Sequence, residues 1–167
     1  PPVTEPPVTE PPVTEPPVTE PPVTEPPVTE PPVTEPPVTE VPGISAYEAE
    51  VISLVNDIRQ SYGLSALKAN TALSNVARTK SQDMVDKHYF SHTSPTYGSP
   101  FDMMKTFGIS YRTAGENIAY GYSTPAAVVD GWMNSEGHRA NILNASYTEI
   151  GVGYVSSGHY WTQMFIG

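Results

Sequence analysis

Four polar features of the sequence could carry chemistry. His92 lies in the polar run His88–Pro95, and Glu116 lies in Gly115-Glu116-Asn117. Glu136 and His138 flank Gly137, and His159 precedes a C-terminal aromatic run. Carboxylates and imidazoles brought together suit proton transfer, with Glu116 and Glu136 as the candidate catalytic groups. They also suit ligation of a divalent ion such as zinc or magnesium, with His92, His138 and His159 as the candidate ligands. Spacing alone does not show that they converge. The chain has no H-E-x-x-H, no G-x-S-x-G and no Gly-rich phosphate loop. With no cysteine, thiol catalysis and a disulfide scaffold are excluded. Each residue also has a plainer use. His92 would brace its own loop, Glu116 would pair with a base or cap a backbone group, and Glu136 would be solvated. His138-Arg139 would favour a helix-end dipole. Trp132, Tyr160, Trp161 and Phe165 read as core aromatics, and Asn144-Ala-Ser146 matches a glycosylation sequon of weak specificity.

The elements that must position these residues are legible from period and caps. Ser45-x-x-Glu48 is a capping box that opens a helix with Tyr47, Val51, Leu54, Val55 and Ile58 on one face, and Gly63 is its stop signal. A second helix over about 71–87 places Leu73, Val76, Ala77, Lys80 and Met84 in one stripe. Ser99-Pro100-Phe101-Asp102 starts a short third helix ended by Gly108, and Thr124-Pro125 starts a fourth. Gly131 and Gly137 weaken that helix, so a break is expected before Gly137. The C-terminus then alternates as a β-hairpin with its turn at Ser156-Ser157-Gly158, and a further strand surrounds Glu116–Tyr120. The expected class is α+β, a three-layer α-β-α sandwich on a small, mainly antiparallel sheet.

Residues 1–40 are a different object, eight copies of Pro-Pro-Val-Thr-Glu. They hold no base and no aromatic residue, and each valine is isolated. Such a tract cannot offset its ordering entropy, and its prolines favour extended polyproline II. The expected organisation is a spacer over 1–43 and one folded domain over 44–167. Because the chain opens inside a repeat array, its natural N-terminus is expected to lie upstream. The net charge of -10 belongs mostly to the tract. The rest holds 8 bases against 10 acids, a poor basis for nucleic-acid binding. No apolar run is long enough for a membrane-spanning helix.

Four motifs in this order resemble the CAP superfamily, which groups cysteine-rich secretory, antigen 5 and pathogenesis-related-1 proteins. They are Phe90-Ser91-His92, Gly115-Glu116-Asn117-Ile118-Ala119, Trp132 to Leu143 and Tyr160-Trp161-Thr162-Gln163. The resemblance covers about residues 44–167. The absence of cysteine and the form Gly137-His138-Arg139-Ala140-Asn141-Ile142-Leu143 are similar to the bacterial branch. It implies secretion or surface attachment, and a cleft holding two His and two Glu, with zinc or another divalent ion in some members. By motif, the first His is His92 and the two Glu are Glu116 and Glu136. The family's second His precedes an aromatic-Thr-Gln run, a place taken here by Tyr160, with His159 one residue earlier. Strand alternation then puts Tyr160 on the face of Thr162 and turns His159 away. His138 is the expected substitute imidazole. The resulting expectation is an extracellular or cell-wall binding module for a glycan, peptide or lipid. The alternative is a metal-dependent hydrolase or peptidase using the same cleft.

Overall fold

A computed structural model describes residues 41–167; the repeat tract, and with it the expected spacer, lies outside the described residues. Helix α1 (Ala46–Ser61) starts at the capping box, with Ser45 accepting from the Glu48 amide and Glu48 accepting from Ser45 N–H at 2.8 Å. Glu48 does more than cap. Its buried carboxylate also takes two hydrogen bonds from Arg78, at 2.8 and 2.5 Å, and one from Tyr154 N–H at 3.1 Å. One side chain therefore ties α1 to the second helix and to the sheet. Val41 packs on the core, and the Gly43 carbonyl accepts from Arg78.

The remaining elements are β1 (Lys68–Ala69), α2 (Thr71–Asp86), α3 (Pro100–Thr106), β2 (Ala114–Tyr120), α4 (Pro125–Met133), α5 (Glu136–Ile142), β3 (Glu149–Val155) and β4 (Tyr160–Ile166). The sheet order is β1-β3-β4-β2. β4 pairs antiparallel with both neighbours, whereas β1 runs parallel to β3. The sheet is thus mixed, and β1 escapes sequence reading because two residues show no alternation. Two apolar layers fill the sandwich. On one face α2 and α3 pack Leu73, Val76, Ala77, Met103 and Met104 against Met164 and Ile166. On the other, α1, α4 and α5 pack Val51, Val55, Val128, Trp132 and Ile142 against Ile150, Val152, Trp161 and Phe165. This is the expected α+β sandwich.

The break falls at Asn134-Ser135, before Gly137 as expected, and Gly137 lies in the first turn of α5. Gly131 has a packing reason to interrupt a helical pattern: a Cβ there would lie 2.6 Å from the Tyr122 hydroxyl. The helix gives up propensity so that this ring can lie against it.

Candidate functional site

The His92 loop is built from α2. Lys80, fully buried in the otherwise apolar stripe, donates from Nζ to the His92 carbonyl at 2.8 Å and lies 5.0 Å from the Tyr89 ring centre. One turn on, the Asp83 Oδ2 accepts from Tyr89 Oη at 2.5 Å and from Ser94 Oγ at 2.6 Å. The Ser94 Oγ in turn accepts from the Thr96 and Tyr97 amides. Burial works to raise the Asp83 pKa. The hydrogen bonds from Ser94 and Tyr89 and the Lys87 ammonium outweigh it and hold the carboxyl below its ordinary range. Burial lowers the Lys80 pKa, opposed by the charges of Glu116 and Asp83. Lys80 and Asp83 are positioning residues that sequence reading missed. The one signal was a lysine at a core position of an amphipathic stripe.

Glu116 comes from β2, an outer strand of the sheet. Its Oε1 meets His92 Nδ1 at 2.8 Å, and the two side chains are 1% and 54% exposed respectively. Its buried Oε2 has no hydrogen-bond partner. Burial raises the Glu116 pKa above its ordinary value, against the His92 hydrogen bond and the Lys80 charge. The pair therefore joins an accessible imidazole to a desolvated carboxyl group.

The outer edge of β2 is closed by side chains. Asn141 Nδ2 donates to the Glu116 carbonyl at 3.2 Å and to Asn117 Oδ1 at 2.8 Å. Trp132 Nε1 donates to the Ile118 carbonyl at 3.3 Å. Asn117 Nδ2 donates to the His138 carbonyl and to Gln163 Oε1, both at 3.0 Å. These contacts hold α5 beside Glu116. Gly115 is required here, because a Cβ would run into the Tyr147 hydroxyl and lie 3.2 Å from Asn141 Oδ1.

The half-buried His138 has its pKa lowered by burial and, in second place, by the positive charge of His92. Glu136 is exposed at the first residue of α5. Tyr160 pairs with Tyr120 across β2 and β4, on the face that also carries the Glu116–Met164 and Ile118–Thr162 pairs. The two tyrosine rings stack 5.5 Å apart, and Phe90 meets Tyr120 edge-on at 4.8 Å. His159 is not brought to this group. It takes a left-handed φ of 52°, stacks on Tyr154, and its Nδ1 lies 2.8 Å from the Tyr154 hydroxyl. Tyr154 packs against Tyr47 of α1 and against Trp161, on the opposite side of the sheet.

For zinc or magnesium, the donor set does not fit. Among the described residues no group of three or more His, Asp or Glu side chains is placed to hold an ion. His92 keeps only Nε2 free, its Nδ1 being taken by Glu116, and His159, which could have been a second imidazole, lies across the sheet. No step of the chemistry is therefore derived through a metal.

The raised Glu116 pKa has a measurable consequence. A carboxyl group whose folded pKa lies above its ordinary 4.5 contributes stability that is present below that value and lost as pH rises through the folded one. His138 works the other way: its contribution is present above its ordinary 6.5 and lost as pH falls through its lowered folded value. Glu116→Gln removes only the first dependence. The stability of Glu116→Gln relative to wild type is expected to increase from acid to neutral pH. Urea unfolding of both proteins across that range checks it.

The sequence profile of the Cysteine-rich secretory protein family, CAP, matches residues 52–165. Bacillus subtilis YkwD is 66% identical over 124 residues, which are 74% of this chain and 48% of that protein. Bacillus subtilis YlbC is 44% identical over 119 residues, 71% of this chain and 34% of that protein. The chain thus spans about half or less of the length of these curated relatives. Among solved structures, an extracellular SCP-domain protein from Bacillus anthracis superposes with TM-score 0.70 at 40% identity. The match covers 72% of this chain and 40% of that one. A cysteine-rich secretory protein from Staphylococcus aureus shares the fold with TM-score 0.64 at 23% identity, covering 76% of this chain and 40% of that one. With the motifs, the sandwich and the His92–Glu116 pairing in one chain, the protein belongs to the CAP family, in its bacterial form.

Proposed function

We propose that the folded part is an extracellular binding module, presented from a surface on the proline-rich tract as a spacer. The ligand is held where the His92 ring and the Glu116 carboxyl group meet. The carrying observation is the pair itself: the buried Glu116 carboxyl group fixes, through one oxygen, a His92 ring that stays half exposed. With Nδ1 directed to Glu116, the His92 ring is left to offer Nε2 to the same ligand. Extracellular placement is supported by the Bacillus anthracis relative, described as an extracellular protein. No helix among the described residues is long and apolar enough to cross a membrane.

Acid–base hydrolysis at the same pair is the second reading, favoured by an exposed imidazole hydrogen-bonded to a carboxyl group whose pKa burial raises. A metal-dependent version lacks its ligand set among the described residues. Co-sedimentation of the full chain with purified Bacillus cell walls separates the two. The binding reading expects wild type to sediment and His92→Ala to remain in solution. Release of wall fragments by wild type, abolished in Glu116→Gln, would instead establish the hydrolase.

A further inference from the structure

Phe90 and Tyr120 are 45% and 55% exposed, and with Tyr160 they form a continuous row of rings. Phe90 is two residues before His92, and Tyr120 is four residues beyond Glu116 on the same face of β2. At strand rise, that spacing places the tyrosine about 13 Å from the carboxylate position. Singly exposed rings are ordinary, but rings in a contiguous exposed row are the kind of patch that marks a binding surface. Resting on the binding reading above, we propose that Phe90, Tyr120 and Tyr160 are a stacking platform for an uncharged oligosaccharide that runs from the rings to the His92–Glu116 pair.

Three observations select this ligand class. A pyranose offers an apolar C–H face to an aromatic ring and hydroxyl donors at its rim. The rings supply the first need, and the exposed His92 ring, whose Nδ1 is engaged by Glu116, supplies Nε2 as the acceptor for the second. A peptide added as a strand would need the outward carbonyls of β2, and those of Glu116 and Ile118 are taken by Asn141 and Trp132. An acyl chain would need an enclosed apolar cavity, whereas these rings lie on an open face, two of them carrying hydroxyl groups. A polyanion is disfavoured, because the folded part holds 8 bases against 10 acids and the site itself contains Glu116.

The test is isothermal titration of the full chain with cellohexaose, with maltohexaose and with the hexamer of N-acetylglucosamine. At least one is expected to bind. Tyr120→Ala should weaken that binding by about tenfold, the loss of one stacked ring, while Tyr120→Phe restores most of it. Tyr120 is exposed, so its thermal melt should match wild type and rule out misfolding as the cause. Failure of all three sugars to bind overturns the platform, as does equal affinity of wild type and Tyr120→Ala. Binding of phosphatidylglycerol vesicles with none of the sugars overturns it too. The two readings fail separately: binding lost in Tyr120→Ala but unchanged in Glu116→Gln leaves the platform standing and removes the His92–Glu116 pair. The reverse pattern removes only the platform.

Discussion

Gly153→Ala is expected to destabilise the protein by about 3 kcal/mol, the upper range for overpacking a core. A Cβ at this position would run into the backbone of Ala77 and Arg78 in α2, and one at Gly151 would lie 2.5 Å from the Ser74 amide. Backbone atoms cannot rotate aside, so the helix itself has to lift from the sheet. Ser81 marks how close the two layers are, bonding the Gly153 carbonyl at 2.9 Å and the Thr162 hydroxyl at 2.8 Å. Lys80 and Asp83 sit on the same helix and hold the His92 loop, so the shift should carry the loop with it. Urea unfolding measures the loss, and amide shifts of residues 89–98 report the displacement. Gly137→Ala is the contrast: nothing lies within 4 Å of its Cβ position and the residue is helical. That substitution should stabilise by about 0.5–1 kcal/mol.

Arg59→Met is the second large effect. The guanidinium of this buried residue, in the last turn of α1, donates to the carbonyls of Ser65 at 2.9 Å, Ile142 at 2.8 Å and Asn144 at 2.9 Å. Methionine keeps much of the volume and removes every donor. Hydrogen bonds from a charged donor contribute about 1.5–3 kcal/mol each, and the Ile142 carbonyl is buried, so a total near 3 kcal/mol is expected. The local consequence falls on α5. That helix has no side-chain cap at its N-terminus, and the carbonyl of its last residue, Ile142, is held by Arg59. Hydrogen exchange should therefore accelerate in α5 before the sheet, loosening Asn141 and His138 beside Glu116.

Contacts that span the layers are where the sequence stops being legible. The capping box at Ser45 was legible because it is local; the bonds of Glu48 to Arg78 and Tyr154 were not, because they span the layers. Lys80 was legible as a core position, but its purpose lies in a loop folded back upon it. Period 2 was enough to separate Tyr160 from His159, since alternation needs no tertiary information. His92 and Glu116 stand out as residue types, yet only the family motifs join them, because a loop after α2 and a strand share no local spacing. Trp132 read as a core aromatic. Its indole N–H also closes a strand edge, a role that depends on strand order. Strand order was equally beyond reach for β1, whose two residues join the sheet only through β3.

The central claim is that ligand is held at His92 and Glu116. The chain has 4 histidines, His88, His92, His138 and His159, and their imidazole resonances are built-in reporters. The direct measurement is two-dimensional NMR of the 15N-labelled full chain during titration with muramidase-solubilised Bacillus cell-wall glycan, near neutral pH. The account predicts that the His92 signals move most and those of His138 less, while His88 and His159 stay in place. Movement confined to His159 or His88, or saturable binding that leaves His92 unmoved, would contradict it.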